Sequence, residues 1–322
     1  MRHSGQRLRL GLLAFAAVLV SASTAHAFCR TRTVNTPADY DPTQDGCWAM
    51  GLPLFWENAC VGYDIQQDAS KQISYDDAAA DIALAFTRWT STTCAGEGGT
   101  GRVSIDVRDL GPVACNVVQY NQTGPNQHAI IFRDNDWPYD DTSNTLALTT
   151  VTYNPDNGAI YDADMEINTY QYTLSVAPQV PSGGYDFLAI VTHETGHFLG
   201  MAHATDDTAT MYAHYTNGSE AMRLLREDDI DGICTIYPPN GTRTVASSVS
   251  PTESVRETAC DPTPIGGYTT QCMSSGGCSF ARSTPKTDDA WGVCLGVVGN
   301  LMILGRLRRR ASTKTECRSN SS

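Results

Sequence analysis

Positive charge is scarce in this chain. Its 322 residues include 22 lysines and arginines against 35 aspartates and glutamates, a formal net charge of -13. A nucleic-acid-binding protein needs a basic face to meet phosphates, so that class is excluded. Long apolar runs are also missing. Leu10 to Val20 and Trp291 to Leu304 both fall short of the roughly 20 residues that a spanning helix needs. Among the six cysteines from Cys29 to Cys234, no two stand in a Cys-x-x-Cys pair, which argues against a structural zinc knuckle. No internal repeat is visible.

The N-terminus carries an address. Arg2, Arg7 and Arg9 precede the short apolar run, and Ala25-His26-Ala27 follows it as a small-x-small cleavage site. Residues 1–27 therefore read as a secretory signal peptide, with the mature chain beginning near Phe28. In an exported chain, Cys29, Cys47, Cys60, Cys94, Cys115 and Cys234 read as an even set of disulfides. Six cysteines allow fifteen pairings, and sequence alone does not choose among them.

Residues 28–239 read as one α+β domain. Ser74 caps a helix running to Thr90, with Ala79, Ile82, Ala83, Phe86 and Trp89 at helical spacing on its buried face. Val103–Val107, Ala129–Phe132, Leu146–Tyr153 and Ala159–Ile167 are strand candidates, the last with Asp162, Asp164 and Glu166 as an acidic rim. A helix is predicted from Tyr185 to Leu199, and a last one from Glu227 to Ile236 with Ile230, Ile233, Cys234 and Tyr237 on one stripe. Strands mostly precede the helix with the chemistry, which favours α+β over βαβ units. Residues 240–259 have the Pro, Ser, Thr and Gly content of a linker. A cysteine-containing tail (260–290) follows. The chain then runs into a short apolar segment ending in an arginine cluster (291–310).

The chemistry concentrates in His193-Glu194-Thr195-Gly196-His197-Phe198-Leu199-Gly200-Met201-Ala202-His203. Residues four apart share one helix face, so His193 and His197 can aim at one ion, at zinc–nitrogen distances of about 2.0–2.1 Å. Glu194 is offset enough to miss the metal and reach a water beside it, the position of a general base. On an unbroken helix His203 would lie roughly 15 Å further along the axis, so the chain must turn back. Gly200 supplies that turn. Three neutral imidazoles leave one zinc position open, as catalysis requires. Phe187, Leu188, Ile190 and Val191 pack the helix into the domain.

This segment resembles the extended zinc motif of the metzincin metallopeptidases at every fixed position. Met211-Tyr212-Ala213-His214-Tyr215, Asp228-Asp229-Ile230-Asp231-Gly232-Ile233 with Tyr237, and Ala85-Phe86-Thr87-Arg88-Trp89 are similar to the matrixin branch. The resemblance implies a metzincin-like zincin domain with a twisted mixed sheet, an active-site helix and a small C-terminal subdomain. It implies a zinc endopeptidase acting on protein or peptide substrates, with Met211 supporting the site and Tyr215 lining the pocket for the residue after the scissile bond. Ala213 stands where related branches carry a tyrosine ligand, so none is expected. His214 reads as a solvated or packing residue rather than a fourth ligand. Matrixins often bind calcium, which the resemblance carries to Asp162 or Asp164, although Met165 departs from the acidic pattern there. A propeptide with the family's cysteine-switch pattern is not found.

The C-terminal end, with Gly276-Gly277-Cys278, an apolar run and Arg306, Arg308, Arg309 and Arg310, resembles the sorting tails of myxobacterial surface proteins. That likeness implies a transient membrane tether, removal of the tail, and Cys278 as the processing or anchoring position. The expectation is an exported monomer, secreted or held at the cell surface. A surface adhesion module that keeps a peptidase fold without activity is the rival reading. The retention of Glu194 and all three histidines counts against it.

Overall fold

The structure, a computed structural model, describes residues 28–37, 39–96, 98–139, 145–245, 253–256, 260–272 and 294–303. The signal segment and Cys278 lie outside the described residues.

A mixed sheet forms the frame. Its strands are β1 (Cys60–Gln66), β2 (Asp106–Val113), β3 (Ala129–Phe132), β4 (Thr145–Tyr153), β5 (Ile160–Ile167), β6 (His214–Tyr215) and β7 (Cys294–Ile303), in the order β6-β7-β4-β5-β3-β1-β2. β1 runs parallel to both β2 and β3, and β3 parallel to β5. β4 is antiparallel to both β5 and β7. The longer helices are α1 (Tyr75–Thr90), α2 (Phe187–Phe198) and α3 (Glu227–Ile236). α1 and α2 pack together, and α2 also lies against β4.

α1 begins where expected. The Ser74 hydroxyl accepts from the Asp77 N–H, satisfying one of the orphan donors of the first turn. Its buried face is Ala78, Ile82, Ala85, Phe86 and Trp89, so Ala79 and Ala83 lie further round than the spacing suggested. α3 matches its expected bounds, but Asp229, Gly232, Ile233 and Ile236 are its buried residues, and Ile230 is only half-buried. β1 was not anticipated, because Asp64 and Gly62 interrupt its apolar pattern. It is nonetheless buried almost end to end.

The acidic rim is not a rim. Asp162, Asp164 and Glu166 are all buried on β5. Asp164 accepts from the Ala129 and Gln119 N–H groups at 2.8 and 2.9 Å, and Glu166 pairs with Arg133 and Tyr139. Buried charges survive only with such partners, and alternation along a strand cannot show whether partners exist.

The cysteines also differ from expectation. Cys29–Cys47 and Cys94–Cys234 close within the six, but Cys60 and Cys115 bond Cys260 and Cys272 from the tail. Residues 260–272 are thereby stapled to the domain. Backbone hydrogen bonds from Ala114 to Thr270 and between Asn126 and both Gly267 and Thr269 reinforce them. Residues read as linker form an antiparallel ladder, Thr242–Val245 against Glu253–Arg256. Arg243 is fully buried, donates to the carbonyls of Trp56 and Ser104 at 3.0 and 2.9 Å, and sits over the Tyr237 ring.

Candidate metal centre

The site is built on α2. Asp186 caps its N-terminus, its carboxylate accepting from the Ala189 N–H at 3.1 Å and pairing with Arg223 at 2.5 Å. Every residue of α2 is buried. Phe187, Leu188, Ile190 and Val191 each contribute roughly 1.5–3 kcal/mol by leaving water. Two tryptophans fix the helix axially: Trp89 donates its indole N–H to the Thr192 carbonyl, and Trp56 to that of Phe198, both at 2.8 Å. The Tyr237 hydroxyl donates to the Leu199 carbonyl at 2.8 Å, satisfying an orphan group at the helix end.

The chain then reverses at Gly200, whose φ of 94° suits glycine alone. A Cβ there would also lie 2.9 Å from the Leu54 carbonyl oxygen. This reversal brings His203 back to the helix. The ligand atoms of His193, His197 and His203 lie within 4.8 Å of one another, the one such group of three among the described residues.

The donor chemistry fits a cation. His193 Nδ1 faces the Thr210 carbonyl at 2.7 Å and His197 Nδ1 that of Met201 at 2.9 Å. Carbonyls only accept, so both Nδ1 atoms carry the proton and both Nε2 atoms present lone pairs. Those two Nε2 atoms are 3.0 Å apart, and His203 Nε2 is buried without a hydrogen-bond partner. Lone pairs facing one another at that distance repel unless a positive ion stands between them. Burial drives all three imidazoles toward the neutral, metal-binding form, His197 down to about 4.

Glu194 lies beside this group. Its Oε2 accepts from the Thr149 hydroxyl at 2.6 Å, and its Oε1 has no partner among the described residues. Burial pushes its carboxyl up to about 8, opposed by the Thr149 hydrogen bond. Thr149 on β4 was not singled out from sequence, and no local pattern marks it.

Beneath the histidines, Met211 is fully buried against Gly196, where the Met211 sulfur leaves no room for a Cβ. The Asp229 carboxylate holds this turn, accepting from the N–H groups of Thr210 and Met211 at 2.8 and 3.0 Å. Tyr215 is locked, its hydroxyl accepting from the Asp186 N–H at 2.9 Å and donating to the Ser219 carbonyl at 2.5 Å. With Tyr212, His214, Ser219, Met222 and Arg226 it lines a cavity of about 300 Å³. His214 joins no ligand group and packs on the Tyr212 ring. Asp162 and Asp164 belong to no second group of three ligand atoms as close as that of the histidines among the described residues. Asp162 faces His128 at 3.7 Å, and both Asp164 oxygens are held by backbone N–H groups.

Comparison with known families matches residues 55–238 to the profile described as Matrixin. The chain belongs to the matrixin family. This matrixin is similar to human matrilysin, 38% identical over 101 residues, covering 31% of the chain and 34% of that protein. It is also similar to matrix metalloproteinase-C of Caenorhabditis elegans, 26% identical over 200 residues, covering 60% of the chain and 30% of that protein. Matrix metalloproteinase-18 of Xenopus laevis is 31% identical over 129 residues, covering 40% of the chain and 24% of that protein. The chain thus spans about a third or less of the length of these relatives.

Proposed function

We propose that this matrixin is an exported zinc-dependent endopeptidase with Glu194 as its general base. The convergence of two Nε2 lone pairs at 3.0 Å on a buried carboxylate's helix carries the reading. His193, His197 and His203 would hold the ion, and zinc supplies Lewis acidity to the scissile carbonyl and to water.

The chain's own residues supply the rest. The carbonyls of Thr210 and Met201 orient the first two imidazoles, and Met211 with Asp229 holds the floor beneath them. Glu194 takes a proton at its free Oε1 and later returns it to the leaving amine, while Thr149 keeps Oε2 in place. The cavity beside Tyr215 would receive the side chain after the scissile bond.

Four disulfides support an oxidising destination, in line with the signal read at residues 1–27. Substrates are proteins or peptides, the working unit is a monomer with one catalytic zinc, and nucleic acid is not a partner. Asp162 and Asp164 remain the residues to which the family resemblance assigns calcium, and the buried Asp162 Oδ1, without a hydrogen-bond partner among the described residues, is the atom available to it. Sorting through Cys278 would hold the protein at the cell surface.

Glu194→Gln tests the mechanism. It should retain about one zinc per chain and lose casein cleavage by at least roughly a thousandfold. Cleavage at the wild-type rate by the zinc-loaded variant would remove Glu194 from the mechanism.

A further inference from the structure

β7 lies between β4 on one side and β6 on the other. It runs antiparallel to β4, from Cys294 opposite Tyr153 to Met302 opposite Thr145. On its other edge it runs parallel to β6, with Met302 opposite His214 and Ile303 opposite Tyr215. It also lies against α2, the helix that carries His193, Glu194 and His197. Gly299 stands opposite Thr149, the residue whose hydroxyl holds Glu194, and the ladder slips between Val297 and Gly299 at that level. An extended segment of this chain therefore crosses the candidate site at the height of its general base, held by backbone pairing to β4 along its length and to β6 at Met302 and Ile303. His193, Glu194 and His197 are 0% exposed.

From this geometry we infer that residues 294–303 are a resident, self-inhibiting occupant of the cleft between β4 and β6, bound there as an added strand. The inference rests on the endopeptidase reading for the word inhibiting, but not for the binding itself. Main-chain pairing supplies affinity in strand addition whatever the side chains, so one groove can hold both a substrate and a mimic of it. The segment Cys294-Leu-Gly-Val-Val-Gly-Asn-Leu-Met-Ile303 carries no charged residue. It is tethered beyond a domain to which Cys260 and Cys272 are covalently bonded. A short tether holds a segment at ~mM effective concentration, well above that of a protein substrate in solution. If the free peptide binds with a Kd of ~100 µM, about nine in ten clefts are closed at ~1 mM effective concentration, and freeing the segment raises activity about tenfold. The strand that the sequence presents as an apolar anchor thus has a second role, as a plug for the site.

The test uses the full chain with Val297→Pro and Asn300→Pro. Val297 and Asn300 pair with Thr150 and Leu148 of β4, and proline at these positions cannot donate to that ladder and fixes φ away from the strand value. Three quantities are read: zinc content, kcat/KM on casein, and binding of a fluorescent synthetic peptide of residues 294–303. With one zinc per chain in both proteins, the double variant should cleave casein about tenfold faster than wild type, chiefly through a lower KM. The free peptide should bind the variant at least tenfold more tightly than wild type and compete with casein, and a scrambled peptide should do neither. Equal kcat/KM together with equal peptide binding overturns the inference. If neither protein cleaves while both hold zinc, the endopeptidase reading fails, and the peptide alone decides whether the cleft is occupied: preferential binding to the variant upholds the plug, and equal binding or none removes it.

Discussion

Asp229 and Thr210 lie 19 residues apart and meet at 2.8 Å, the carboxylate of one accepting the backbone N–H of the other. The same carboxylate accepts from Met211 and from Arg226, and the Thr210 carbonyl receives the His193 Nδ1 proton. Asp229 is thus linked to His193 through the Thr210–Met211 turn.

Asp229→Ala should accordingly weaken zinc binding as well as the fold. Three N–H groups lose their acceptor, which costs about 2–4 kcal/mol of stability. Misplacing a ligand's supporting partner typically lowers metal affinity ten- to a hundredfold. Competition with a zinc chelator and urea unfolding, run on the same sample, measure the two effects separately. Asp229→Asn, which keeps one acceptor, should lie between.

Thr149→Val should move the acid limb of the kcat/KM profile upward. A hydrogen bond to a carboxylate favours its charged form, so losing the 2.6 Å contact raises the Glu194 pKa above the value that burial already sets. In the proposed mechanism Glu194 accepts a proton, which requires its deprotonated form. The deficit should therefore be greatest in acid, on the order of tenfold near pH 6, and fade above the shifted limb. A uniform loss at all pH values would assign Thr149 a packing role only.

Asp64 gives the fold a pH dependence of its own. It is fully buried on β1, and desolvation pushes its carboxyl up to about 7. A pKa raised by folding means that the folded state binds the extra proton. The corresponding stability is complete below about pH 4 and is lost as pH rises through 7. Asp64→Asn should flatten this slope, gaining on the order of 1–3 kcal/mol over wild type at pH 8 relative to pH 5. Urea midpoints at the two pH values, at constant metal content, measure it.

Cys94 and Cys234 bind α3 to the antiparallel pair Thr93–Cys94 and Gly101–Arg102, which follows α1, across 140 residues of sequence. Replacing both by serine should cost about 2–5 kcal/mol, mostly by freeing the unfolded chain. The Met211 turn depends on α3 through Asp229, so zinc affinity should fall with it. Thermal unfolding with and without added zinc shows both.

The spacing of His193, His197, Gly200 and His203 was enough to place three ligands and a reversal, because helix geometry is local. A period of 3.6 residues and one glycine with positive φ need no distant partner. The same holds for Ser74 and the bounds of α3. Reading failed where a residue's role is set by something remote. Asp162, Asp164 and Glu166 alternate like an exposed edge, but Glu166 pairs with Arg133 and Tyr139, Asp164 accepts from the backbone of Gln119 and Ala129, and Asp162 faces the buried His128. Cys60 and Cys115 resemble members of a closed set, but their sulfur partners come from beyond the hairpin.

Sequence by itself determined that His193, His197 and His203 would meet and that Glu194 would lie beside them, since the helix and its reversal are written in contiguous residues. Tertiary structure alone decided what holds Glu194, what holds the turn under His193, and what lies across the cleft. Thr149 reaches Glu194 over 45 residues, and β7 reaches β4 over more than a hundred. Contacts of that span are selected by the packing of the whole sheet, and no window of sequence contains both partners.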